Sequence, residues 1–134
     1  MIPSEVRSAA DHLFVMQRQA QTAIDKQAPD WQRALLATRR DLASEMAKLS
    51  AAARRHMPLG LDHPDHLALA KAINGLRHTI ALHQAAWPVT AIDPASPAFQ
   101  SSIRDVRSAY DVLFAALGRL DRSIALASTK EDLA

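Results

Sequence analysis

The chain has 134 residues, of which 49% are hydrophobic and 22% charged, with no cysteine and a formal net charge of +2. This length fits one domain that can bury a core without a metal ion or a disulfide. The absence of cysteine excludes a disulfide framework, a thiol nucleophile and a zinc–thiolate site. The 16 Lys and Arg nearly balance the 14 Asp and Glu, so the overall charge does not indicate a nucleic-acid-binding protein.

The first apolar pattern has helical spacing and predicts a helix over 4–26. Its seam, with steps of three and four residues, consists of Ile2, Val6, Ala9, Leu13, Met16, Ala20 and Ile24. Ser4 is the expected N-cap. The Ala28–Pro29 pair ends the helix, because the residue before a proline avoids helical backbone angles.

The second predicted helix covers 30–56, with Asp30 as its N-cap. Its seam is less regular than the first, since Thr38 and Glu45 lie on or near it. The basic residues at its C-terminal end suit the helix dipole. Pro58 and Gly60 then break the chain.

The third predicted helix covers 64–87, with Pro64 as its first residue. Its seam consists of His66, Leu69, Ile73, Leu76, Ile80, His83 and Trp87. Gly75 lies inside this helix, where glycine costs about 1 kcal/mol relative to alanine. We therefore expect another helix to cross closely at Gly75.

The fourth predicted helix covers 96–127 and is the longest, although Pro94 and Pro97 offer two possible starts. Its apolar stripe runs from end to end and consists of Phe99, Ile103, Val106, Tyr110, Leu113, Leu117, Leu120, Ile124 and Ala127. Four such helices with short links predict an all-α domain over 1–127, an antiparallel up-down-up-down four-helix bundle, followed by a flexible polar tail over 128–134. The extra length of the last helix indicates a possible homodimer through it.

The N-terminal residues lack the basic and apolar regions of a signal peptide. No apolar run reaches the roughly 18 residues that a membrane span requires. We therefore expect a soluble cytoplasmic protein with no membrane partner.

Six histidines raise the question of a metal site. His56, His63 and His66 lie on either side of one helix connection and are weak candidates as ligands. We favour the alternative that they are surface residues around a turn, with His66 at the end of the core. No Glu is followed by His three residues later, so the carboxylate-bridged di-iron pattern is absent. We predict no cofactor and no bound metal.

His78 falls two residues past the seam residue Leu76 and should be exposed in the middle of a helix, next to Arg77. This arrangement resembles that of histidine-phosphotransfer domains, four-helix bundles that expose a phosphoacceptor histidine. The resemblance implies His78 as phosphoacceptor and a receiver domain as partner. Ala81 and Leu82 occupy the positions where that family usually carries a lysine and a small residue.

His83 instead falls on the seam, and we expect a core histidine that is hydrogen-bonded to another helix, with Tyr110 or Thr38 as partner. Two interpretations fit the segment that contains Trp87, Val89 and Ile92. These side chains plug one end of the bundle, or they form a docking patch for a partner protein, since tryptophan is enriched at binding hot spots.

Arginines of the second helix give one further alternative, a nucleic-acid interface directed at phosphates, formed by Arg39, Arg40, Arg54 and Arg55. The sequence shows no Gly-rich phosphate loop and no nucleophile motif. Our interpretation is therefore a non-enzymatic module for protein–protein interaction, acting as an adaptor, a chaperone-like factor or a regulator. Phosphotransfer by His78 and nucleic-acid binding are the alternatives.

Overall fold

The structure, a computed structural model, describes the backbone of residues 2–133 and the side chains of residues 2–129. Within these residues it has no strand, and its α-helices are α1 (Ser4–Lys26), α2 (Trp31–Arg55), α3 (Pro64–Ala86) and α4 (Pro97–Leu133). A short 3-10 turn, Val89–Ala91, lies between α3 and α4. The predicted all-helical class with four helices is confirmed. None of the described helices has both the length and the apolar character needed to span a bilayer.

The helix starts agree with the sequence to within one residue, but two of the expected side-chain caps do not form. Pro64 begins α3, and the His63 ring nitrogen Nδ1 accepts a hydrogen bond from the Asp65 N–H at 3.1 Å. Pro97, not Pro94, begins α4, and the Ser96 hydroxyl oxygen accepts from the Phe99 N–H. The predicted side-chain caps of α1 and α2 are wrong. Ser4 is already helical, and Asp30 has a left-handed φ of 67° with no capping hydrogen bond from its side chain.

The C-terminal end of α4 lies beyond the predicted one. The helix continues to Leu133, whereas the sequence indicated a flexible tail after Ala127. Residues 128–133 are polar but include no glycine or proline, so nothing in them breaks the helix. The Thr129 hydroxyl donates back to the Ala125 carbonyl at 3.0 Å, as a helical threonine does.

The main packing contacts join α1 to α2 and α3 to α4, and α2 also contacts α3 and the 3-10 turn. Contacts between α1 and α4 connect the two helix pairs. The rings of Phe14 and Phe114 meet edge to face with centroids 5.4 Å apart. The Tyr110 hydroxyl donates to the Leu13 carbonyl at 3.4 Å in a buried position.

The buried side chains form two clusters. The larger, which we name the main cluster, takes members from all four helices, among them Leu13, Leu49, Leu76 and Leu113. The smaller, which we name the end cluster, consists of Ile24, Leu35, Phe99 and Ile103 with the half-buried side chains of Ala20, Trp31, Trp87, Val89 and Ile92 packed against them.

Two residues that are unusual for a packed helix, a glutamate on the seam of α2 and a glycine inside α3, have different explanations. Glu45 is nearly buried on α2, but its carboxylate accepts a hydrogen bond from Lys48 at 2.9 Å and lies 3.5 Å from His12. The hydrogen bond from Lys48 is the main reason that the pKa of Glu45 is lowered. Gly75 is exposed, and a Cβ built there would meet nothing within 4 Å. The expected close crossing at Gly75 is therefore wrong.

Candidate functional site

A predominantly apolar concavity on the described surface lies beside the turn between α1 and α2, and we name it the α1–α2 groove. Its volume is about 590 Å³. Its apolar lining consists of Val15, Ala23, Ala28, Pro29, Trp31 and Ala34. The groove was not predicted from the sequence, because Val15 and Ala34 lie off both apolar seams.

The turn between the helices gives the groove its shape. Gln27 and Asp30 both have left-handed backbone angles, with φ of 45° and 67°, and they reverse the chain within a few residues. The small side chains of the lining, chiefly alanines, leave space between Val15 and Trp31. Trp31 is half-buried, so part of its indole remains accessible from the groove.

The rim of the groove is mainly basic. Arg18 and Lys26 of α1 line it, and Asp30 is the acidic residue at the turn. The Arg18 guanidinium also lies 5.8 Å from the centroid of the Phe14 ring, within the range of a cation–π contact. The groove therefore combines an apolar floor with positive charge along one edge.

The three residues proposed as a docking patch are half-buried. Trp87 packs edge to face against Phe99, with ring centroids 5.3 Å apart. Val89 and Ile92 also pack against the end cluster. These contacts are the ones that the plug interpretation requires, and docking through Trp87, Val89 and Ile92 stays a prediction.

His78 and Arg77 are both exposed on α3, where the seam placed them. Ala81 and Leu82, the next residues along this surface, are exposed as well. An exposed imidazole in the middle of a helix is accessible to a partner protein. Phosphorylation of His78 stays a prediction.

The three weak metal candidates have three different environments. His56 Nε2 lies 2.6 Å from the Glu5 carboxylate, and His63 caps α3. His66 is buried, and neither of its ring nitrogens has a hydrogen-bond partner among the described residues. In the described part of the chain no three metal-ligating side chains come together.

His83 is half-buried, less than expected of a core histidine, and it is hydrogen-bonded to another helix through a partner that was not predicted. Its Nδ1 lies 2.6 Å from the hydroxyl oxygen of Ser102 on α4. The two expected partners bond elsewhere, Tyr110 to the Leu13 carbonyl and Thr38 to the Ala34 carbonyl. Burial lowers the pKa of His83 to about 4, and the positive charge of Arg39 contributes in the same direction.

The four arginines considered for nucleic acid do not share one environment. Arg40, Arg54 and Arg55 are exposed, whereas Arg39 is half-buried. An interface directed at phosphates needs its cations at the surface. The exposed part of this set therefore consists of three residues, and Arg39 faces a different environment.

Comparisons with protein-family models, with curated proteins and with solved structures give no match. Among the surfaces described above, the α1–α2 groove combines an apolar lining that includes Trp31 with basic residues at its rim.

Proposed function

We propose that this protein is a non-enzymatic helical module that binds another protein, as an adaptor, a chaperone-like factor or a regulator. The observation that carries the proposal is the α1–α2 groove, with its apolar floor and a volume of about 590 Å³. Apolar concavities with a polar rim are typical of interaction sites. A groove between two helices suits an amphipathic helix of the partner.

The charge at the rim indicates the chemistry of that helix. Arg18 and Lys26 are eight positions apart on α1, so they follow one edge of the groove about two helical turns apart. Acidic residues beside the apolar stripe of a partner helix would lie opposite these cations. Trp31 supplies the aromatic side chain that commonly dominates binding energy.

The arrangement of the helices supports a rigid scaffold, which we infer to be an antiparallel up-down-up-down bundle. Along α1 and α2, Glu5 meets His56 and His12 meets Glu45, so the residue order reverses between the two helices. The residue order also reverses between α3 and α4, where His83 meets Ser102 and Asp65 meets Ser123. It reverses between α1 and α4 as well, where Leu13 meets Tyr110 and Ile2 meets Asp121.

Affinity co-purification from the native host, with nuclease and mass spectrometry, tests the proposal. Ala34→Arg places a large side chain in the groove, and Ala37→Arg places the same side chain on exposed α2 surface outside the groove lining. We expect a stoichiometric protein to be retained by the wild type and by Ala37→Arg, and to be lost by Ala34→Arg. Hydrogen exchange in the purified complex should show protection of residues 18–34.

Two results would contradict the proposal. A partner that binds equally well to Ala34→Arg does not occupy the groove. Recovery of nucleic acid, with proteins lost on nuclease digestion, would instead support an interface formed by the exposed arginines of α2.

The exposure of His78 favours one alternative, a phosphotransfer module. It predicts an acid-labile phosphoryl group on the chain after incubation with a phosphorylated receiver domain. The label should be lost in His78→Ala and retained in His12→Ala, since His12 is an exposed histidine on a different helix. Labelling that persists in His78→Ala rules out this residue as the acceptor.

A further inference from the structure

A small cavity lies where the main cluster and the end cluster meet. Its volume is about 50 Å³, and all four helices contribute to its walls. Leu42 and Val106 of the main cluster line it together with Ile24, Leu35 and Ile103 of the end cluster. Every lining residue is buried or half-buried, so the cavity is recessed between the helices and only partly open to solvent.

One wall of this cavity carries a positive charge without a counterion. Arg39 lines the cavity and is half-buried. Among the described side chains no carboxylate pairs with it, and no hydrogen bond satisfies its guanidinium. Burial lowers the pKa of Arg39, and its charge contributes to the low pKa of His83 across the cavity. A cation that has lost part of its hydration in this way is stabilised when an anion binds to it.

Neutral polar side chains line the same cavity as the guanidinium. They include Gln17, Gln84 and His83. The amide groups of Gln17 and Gln84 have no hydrogen-bond partner among the described residues, whereas the Gln21 amide already donates to Asp25 at 2.8 Å. Amide donors are therefore present in the cavity that Arg39 lines. Apart from Thr38, whose hydroxyl donates to the Ala34 carbonyl, the rest of the wall is apolar.

The size and the walls select the class of anion. A space of about 50 Å³ holds roughly four water-sized groups. The guanidinium fork matches the two oxygens of a carboxylate. Phosphate and sulfate would place their remaining oxygens against the aliphatic wall, where those oxygens would lose hydration.

We propose that this cavity binds a short-chain monocarboxylate, of the size of acetate or propionate, with its carboxylate on the Arg39 guanidinium and its carbons against the aliphatic wall. This site is separate from the α1–α2 groove and does not depend on the proposed function. The ligand would join the two clusters of the core, because it contacts residues of both.

The test is an NMR titration of the full chain with sodium propionate, at ionic strength held constant with sodium chloride. We expect saturable shifts of the His83 ring and the Gln84 amide in the wild type. Arg39→Gln removes the charge at the cavity, and its affinity should fall roughly tenfold or more. The matched control Arg40→Gln removes an exposed charge at the next position and should bind as the wild type does.

A second variant tests the volume without removing the charge. Ala20→Leu extends a lining residue into the cavity and should abolish the saturable shifts while Arg39 remains. The amide spectrum of each variant shows whether it is folded. The proposal is overturned if chloride alone produces the same shifts, if the wild type shows no saturation, or if either folded cavity variant binds propionate with wild-type affinity.

Discussion

The imidazole of His83 on α3 and the hydroxyl of Ser102 on α4 lie 2.6 Å apart, from Nδ1 to Oγ, and join the two helices beside the end cluster. The His83 ring also lies 5.7 Å from that of Phe99, centroid to centroid. This histidine is neutral at pH 7, because burial and the charge of Arg39 lower its pKa to about 4.

Acid should therefore destabilise the fold through His83. Between pH 6.5, the ordinary histidine value, and about 4, the unfolded state binds a proton that the folded state does not. The contribution of His83 is complete above pH 6.5 and is lost as pH falls toward 4. It amounts to roughly 1–3 kcal/mol after allowance for partial exposure. Urea unfolding at several pH values should show a weaker pH dependence in His83→Gln, and an unchanged dependence would contradict the assignment.

His66 offers a case in which a substitution should stabilise the protein. Its ring is 2% exposed, and both nitrogens lack a partner among the described residues. His66→Leu keeps a similar volume and removes the unsatisfied groups, so we expect the free energy of unfolding to rise by about 1–2 kcal/mol. His63→Leu is the control, and it should destabilise by about 1 kcal/mol because it removes the cap of α3. A less stable His66→Leu variant would mean that water satisfies the ring.

Two glycines should respond to alanine in opposite directions. Gly75 is helical and has free space around its missing side chain, so Gly75→Ala should stabilise by about 0.5–1 kcal/mol. Gly60 has a φ of 91°, so Gly60→Ala should destabilise by roughly 1 kcal/mol or more. Thermal unfolding measures both changes. An unaltered melting temperature for Gly75→Ala would contradict this prediction, because an exposed helical position should gain from the alanine.

The two interpretations of Trp87 can be separated by stability. Because Trp87 packs against Phe99 in the end cluster, we expect Trp87→Ala to lower the free energy of unfolding by roughly 2–3 kcal/mol. Leu82→Ala, at a side chain that is 59% exposed, should change it by less than about 0.5 kcal/mol. Full stability of Trp87→Ala together with loss of a bound partner would support the docking interpretation instead.

Helix α4 leads to a prediction about assembly. The Ile2 N–H donates to the Asp121 carboxylate, and the Ser123 hydroxyl donates to the Asp65 carboxylate. Helices α1 and α3 therefore begin opposite this part of α4. The helix then continues to Leu133, and Leu126 is 64% exposed. We propose a homodimer through this extension. Light scattering should show a dimer that is lost in Leu126→Glu and kept in Leu82→Glu. A wild-type monomer at high concentration would contradict it.

Apolar periodicity was sufficient to predict the helices and most of the core. Leu13, Leu76, Leu113 and Leu120 lie on predicted seams, and all are at most 1% exposed. The helix ends were predicted from helix-breaking residues. The start of α3 at Pro64 was therefore predicted, and the continuation of α4 beyond Ala127 was not. Apolar periodicity indicates that a helix forms and which of its faces is apolar, but not which residues of other helices contact that face.

The candidate sites depend on relations between helices, which is why the sequence did not indicate them. The α1–α2 groove arises where alanines of two helices meet beside a turn with left-handed residues. In the sequence, Arg39 is one of several arginines on α2. Only the packing of the other helices shows that it lines a cavity between them. The partner of His83 was missed for the same reason, since Ser102 lies one residue off its own seam.

The order of the helices also has a consequence for synthesis. Tyr110, Leu113 and Leu120 of α4 are buried in the main cluster against α1 and α3, and they are translated after both. Until they leave the ribosome, the apolar faces of the first three helices lack the surface that covers them. The nascent chain therefore passes through a stage in which α1 and α2 can pair while much of the core is still exposed to water, and this is the stage at which aggregation or capture by a chaperone competes with folding.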